Sequence, residues 1–165
     1  MKPLLRKRIL VFTFICYTAL LLYWVLFDGG FGRTGFDGLS GATIETYKEA
    51  LRTKGNFVPF GTIVRFFKGY FVWQTVSFNA FAINILGNIL VFAPFGFFLP
   101  AIFKKQRKYL WFLLTMTAVI TCIEALQLLL LTGSPDVDDL FLNLIGASAG
   151  YLFTRLILKH RAVFE

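Results

Sequence analysis

Histidine occurs once in this chain and cysteine twice. His160 stands alone in a basic tail, and Cys16 and Cys122 lie far apart inside apolar runs. No zinc-type spacing or disulfide framework is present, and no motif for a metal or cofactor stands out. The cysteines are expected as small buried apolar residues. Acidic residues are also scarce, nine against seventeen Lys and Arg, for a formal net charge of +8. That balance would suit a nucleic-acid partner if the cations formed one patch, but they do not. Lys2, Arg6, Lys7 and Arg8 precede the first apolar run, while Lys104, Lys105, Arg107 and Lys108 fill a short turn. Arg155, Lys159 and Arg161 close the chain. Basic residues flanking apolar runs mark cytoplasmic loops. This excludes nucleic acid and places both termini and the 104–108 turn inside.

What the chain has in quantity is apolar sequence, 57% against about 45–50% for soluble domains. Ile9 to Phe27, Gly69 to Phe103 and Leu140 to Thr154 carry no charge, and Tyr109 to Leu131 carries only Glu124. A bilayer core needs roughly 20 apolar residues in helix. The reading is an all-α integral membrane protein, a bundle of about four transmembrane helices near 9–27, 79–103, 109–131 and 138–158. The whole of 1–165 forms one membrane domain in the bacterial plasma membrane. The first run is longer than the ~7–15 residues of a signal-peptide core, and FDGGFG offers no small-x-small cleavage site. It is expected as a retained anchor.

Residues 28–78 form the external segment. It begins glycine-rich, and ATIETYKEALRTK suits a short surface helix. NFVPFGTIVRFFKGYFVWQTVSF, 56–78, follows as an interfacial amphipathic segment rich in aromatics, with Arg65 and Lys68 among them.

Several polar residues stand inside the spans. Asn84 and Asn88 share a face of the second helix, ahead of Pro94, which is expected to kink it. Glu124 and Gln127 lie on the third helix, where a buried acid costs on the order of 2–3 kcal/mol. On the fourth, Asp139, Asn143, Gly146 and Gly150 fall within about 60° of one another at about 100° per residue, with Asp136 on the same side. Asp136 or Ser134 can cap the first turn. Gly146 and Gly150 make a G-x-x-x-G that packs helices closely, within the chain or in a homodimer. The polar groups of the three helices all sort to the outer half. They are expected to line an acidic, amide-rich pocket open to the outer leaflet, with Arg52 as the external cation. The alternative for each is a plain interhelical hydrogen bond of ~0.6–2 kcal/mol.

These residues carry a family resemblance. NFVPF at 56–60, NILGNILVFAPFGFFLP at 84–100, EALQ at 124–127 and DVDDLFLNLIGASAGY at 136–151 resemble, in order and spacing, the VanZ-like family of small bacterial membrane proteins. Many of its members carry an arginine before the aspartates; this chain has Gly133 near that position, and Arg52 is the candidate substitute. The resemblance implies an envelope protein affecting susceptibility to glycopeptides such as teicoplanin. Its partners would be the lipid bilayer and a lipid-linked envelope precursor or lipoglycopeptide. One alternative is an intramembrane enzyme on a lipid-linked precursor, with Glu124 as general acid or base, although no nucleophile–base pair is visible and no catalytic residue can be named. Another is a small oligomeric transporter.

Overall fold

In a computed structural model the described residues are 3–27, 41–53 and 55–158. The glycine-rich stretch expected at 28–40, Lys2, and Lys159, His160 and Arg161 of the basic tail lie outside them. Helices α1 (Pro3–Phe27), α2 (Ile44–Thr53), α3 (Gly61–Phe71) and α4 (Phe78–Ala82) come first. A π turn, Ile83–Gly87, runs from α4 directly into α5 (Asn88–Ile102). A 3₁₀ turn, Lys104–Arg107, then leads to α6 (Tyr109–Leu129) and α7 (Val137–Leu158).

The three apolar stretches Leu4–Leu26, Phe78–Ile102 and Tyr109–Leu129 are long and apolar enough to cross a membrane. In lipid the backbone must satisfy its own hydrogen bonds, which is why such runs become helix. The fourth expected span takes shape as α7 but is not among these three; Asp138, Asp139 and Arg155 lie within it. α2 occupies the middle of ATIETYKEALRTK, and α3 takes up half of the 56–78 segment.

α5 is the centre of the bundle. Phe92, Phe95 and Leu99 pack with Leu21 and Val25 of α1, with Phe112, Met116, Ile120 and Ile123 of α6, and with Ala147 and Tyr151 of α7. The closest approach is between α5 and α7. A Cβ at Gly146 would collide with the Ile89 carbonyl, one at Gly150 with the Ala93 carbonyl, and one at Gly96 with the Tyr151 amide. The small residues of G-x-x-x-G therefore serve backbone packing within the chain. A second cluster, Phe81, Ile85 and Leu142, takes in Ile63, Phe66 and Tyr70 and so seats α3 on α4 and α7. The outside of the bundle is apolar too, with Phe12, Leu20, Leu110, Leu114, Ile145 and Phe153 exposed. Cys16 and Cys122 correct the expectation of burial: both are exposed on that outer surface.

Pro94 and Pro100 both lie inside α5, but the helix departs from α geometry earlier, at Ile83–Gly87. The amide N–H of Asn88 goes to the Ile85 carbonyl there, and the Asn88 side chain donates to the Asn84 carbonyl at 3.0 Å. Asn84 in turn donates to the Ala80 carbonyl at 2.9 Å. Two asparagine amides thus serve carbonyls in and just before the irregular stretch.

Candidate functional site

The start of α7 holds the first part of the site. Asp136 caps the helix, its Oδ1 accepting the Asp138 N–H at 2.9 Å. Its Oδ2 accepts the Thr62 hydroxyl at 2.6 Å, and Oδ1 also takes Asn56 Nδ2 at 2.8 Å. The backbones of Asn56 and Asp136 pair as a parallel bridge, with Asn56 N–H to the Pro135 carbonyl at 3.0 Å and Val137 N–H to the Asn56 carbonyl at 2.9 Å.

Asp138 is fully buried. It accepts the backbone N–H groups of Phe60, of Thr62 at 2.8 Å and of Ile63 at 3.1 Å. These are the first donors of α3, whose cap position is filled by Phe60, a residue with no side-chain acceptor and a left-handed φ of 66°. A carboxylate from a distant helix thus does the capping, and its charge complements the positive end of the α3 dipole. Sequence reasoning left Asp138, Asn56 and Thr62 out of the site. The signal that could have found them is the missing cap: a helix entered through V-P-F-G needs an outside acceptor.

The second part lies deeper. Asp139 Oδ1 accepts Asn88 Nδ2, which joins α7 to α5. Beside this pair, Val25, Asn88, Val91, Phe92, Ile123, Glu124, Gln127 and Asn143 surround an internal cavity of about 10 Å³. Asn143 is 4% exposed and its Oδ1 has no hydrogen-bond partner. Gln127 is buried and donates to the Val25 carbonyl at 3.1 Å, tying α6 to α1. Glu124 is half-buried at the cavity wall.

Of the residues expected to share a pocket, the structure brings together Asn88, Glu124, Gln127 and Asn143 around the cavity, with Asp139 hydrogen-bonded to Asn88. It does not bring in Asn84, whose amide stays on its own helix. Asp136 belongs to the α3 anchor rather than to the cavity. Arg52 is exposed in the last turn of α2, and among the described residues no hydrogen bond or ion pair joins it to a carboxylate. The cation that reaches the aspartates is Arg65, through Thr62 Oγ1 at 3.4 Å. Nor is the cavity an open pocket. A water needs roughly 10–15 Å³, so it has room for about one.

Outside this polar interior, Phe57, Val58 and Phe60 stand 66%, 68% and 60% exposed, and Phe60 stacks on Phe141 of α7 at 6.0 Å. The Asp136 and Asp138 anchors therefore hold an apolar ledge beside the polar end of the bundle. Tyr47 of α2 reaches the same end, donating to the Leu129 carbonyl at 3.0 Å. Among the described residues no group of three His, Cys, Asp or Glu side chains could hold a metal ion. What the arrangement offers is hydrogen bonding and an amphipathic surface. A family model described as VanZ/LLP1 matches residues 14–158. No curated protein and no solved structure is matched by the chain.

Proposed function

The chain belongs to the VanZ/LLP1 family, and from that premise we propose that it affects susceptibility to lipid-tailed glycopeptides of the teicoplanin type in the bacterial plasma membrane. Its four long helices cross the bilayer, α7 as the fourth, with both termini cytoplasmic. α7 has 22 residues, about 33 Å at about 1.5 Å per residue, and packs lengthwise on α5. The basic turn Lys104–Arg107 and Arg155 lie together at one end, as cytoplasmic ends do.

One observation carries the reading: an exposed ledge of Phe57, Val58 and Phe60 is held by the buried Asp138 carboxylate beside a polar interior. An amphipathic molecule at the outer face can lay its acyl tail on that ledge while its polar part meets the exposed Arg65. The cavity with Glu124 and Asn143 lies beneath and sets how α5, α6 and α7 are held under it.

The test is growth inhibition by teicoplanin and by vancomycin in a susceptible Gram-positive host. It compares empty vector, wild type, Glu124→Gln, Asp139→Asn and Phe57→Ser at matched membrane abundance. Protection selective for teicoplanin, lost in the variants, is the expected result. Wild type indistinguishable from empty vector would end the proposal, and protection intact in Phe57→Ser would remove the ledge from it.

A further inference from the structure

The opposite end of the bundle has its own recess. The turn after α5 and the first residue of α6 face the last turns of α7 across an open recess of about 590 Å³, lined by Arg107, Lys108, Tyr109, Tyr151, Leu152 and Arg155. This volume falls in the range of small-molecule sites, about 300–1,000 Å³. Lys108 and Arg155 line it and no described carboxylate does; Asp136, Asp138 and Asp139 are at the other end of α7.

The walls are fixed. Tyr151 donates to the Arg107 carbonyl, and Arg155 Nη1 donates to the same oxygen at 3.2 Å. Tyr109 is held by Ser148 Oγ at 3.0 Å. Arg155 spends one N–H on that carbonyl and lies 5.9 Å from the Tyr151 ring centre, which leaves the rest of its planar fork for an acceptor. Leu152 forms the apolar side of the recess, 57% exposed, and Phe153 and Leu156 continue an exposed apolar surface on the same helix.

We infer that this recess binds an anionic phospholipid, its phosphate between Lys108 and Arg155 and its glycerol and acyl chains against Leu152. The charge of Lys108 and Arg155, with no carboxylate beside it among the described residues, selects an anion. The apolar wall selects a lipid over a free phosphate. Lys104 and Lys105 do not take part: neither lines the recess, and Lys105 lies 3.8 Å over the Trp111 ring. The inference stands apart from the glycopeptide reading, since it uses other residues at the other end.

The full chain, in a zwitterionic detergent, is titrated with phosphatidylglycerol or phosphatidylcholine, and bound lipid is counted by native mass spectrometry. Glycerol 3-phosphate and inorganic phosphate serve as soluble competitors. Phosphatidylglycerol should bind at least about tenfold better, and Lys108→Gln with Arg155→Gln should lower its binding about tenfold. Lys108→Gln alone, at an exposed position, should give about threefold, so the result does not depend on the double variant folding. Lys104→Gln with Lys105→Gln should change little. Equal binding of the two lipids would overturn the inference. So would an equal loss in the Lys104 and Lys105 variant, which would mean diffuse attraction, or displacement by inorganic phosphate at lipid-like concentration, which would mean a free-phosphate site.

Discussion

Asp138→Asn exchanges one oxygen for an NH₂ at a fully buried position. The wild-type carboxylate accepts three backbone N–H groups, Phe60 at Oδ1 and Thr62 and Ile63 at Oδ2. An asparagine can offer its oxygen to one side only. In the better orientation Thr62 and Ile63 keep a neutral acceptor, while the Phe60 N–H faces another donor. Hydrogen bonds to a charged group net about 1.5–3 kcal/mol and neutral ones about 0.5–1.5. Going from three charged bonds to two neutral ones, with both ranges taken at their low ends, costs on the order of 3 kcal/mol, roughly a 100-fold change in an opening equilibrium. The cost should fall on 56–71 rather than on the bundle, because the α5–α7 contact does not involve this carboxylate. Hydrogen exchange read by mass spectrometry in detergent checks it, with 88–102 as internal control. Exchange over 56–71 should speed by about two orders of magnitude with 88–102 unchanged. Unchanged protection of 56–71 would refute the capping argument. Loss over both regions would show that Asp138 supports the whole bundle.

Three further outcomes follow from the packing. Gly150→Ala should lower the detergent melting temperature, since its Cβ has no room against the Ala93 carbonyl and helix separation costs about 1–3 kcal/mol; a melting temperature within error of wild type would contradict the close α5–α7 approach. Asn143→Leu should leave stability equal or higher, because it removes a buried oxygen that has no partner, and a fall of several degrees would mean that a water or ion satisfies that oxygen. Tyr17→Phe should cost about 1 kcal/mol, since the Tyr17 hydroxyl joins α1 to the Val91 carbonyl of α5; an unchanged melting temperature would show that α1 is held by apolar contact alone.

The helices were legible because their signals are local: uncharged runs, a polar amphipathic stretch at 44–53, and basic turns between. Asn88, Glu124, Gln127 and Asn143 were also singled out by helical spacing, and these four line one small cavity. What could not be read was which partner each polar group takes. Arg52 and Arg65 flank the same NFVPF stretch; Arg65 meets Thr62 through i,i+3 spacing on α3, but that Thr62 meets Asp136 depends on a contact 74 positions away. Asp138 escaped notice because its backbone partners lie more than seventy positions away. The π turn was hidden for a different reason. Pro94 carries the visible signal for a bend, while Ile83–Gly87 contains no residue that demands one on its own.

The anchor between Asn56 and Asp136 spans 80 positions of chain. During synthesis at about 5–20 residues per second, roughly 4–16 seconds separate the two ends leaving the ribosome. Through that interval α4, α5 and α6 enter the membrane while α3 still waits for its capping carboxylate. The last described helix is therefore the one that caps α3, and a chain stalled before residue 136 would hold the earlier helices with an unlatched aromatic segment. Quality control in the cell has a defined feature to recognise in such a product: the first amide groups of α3, exposed until α7 arrives.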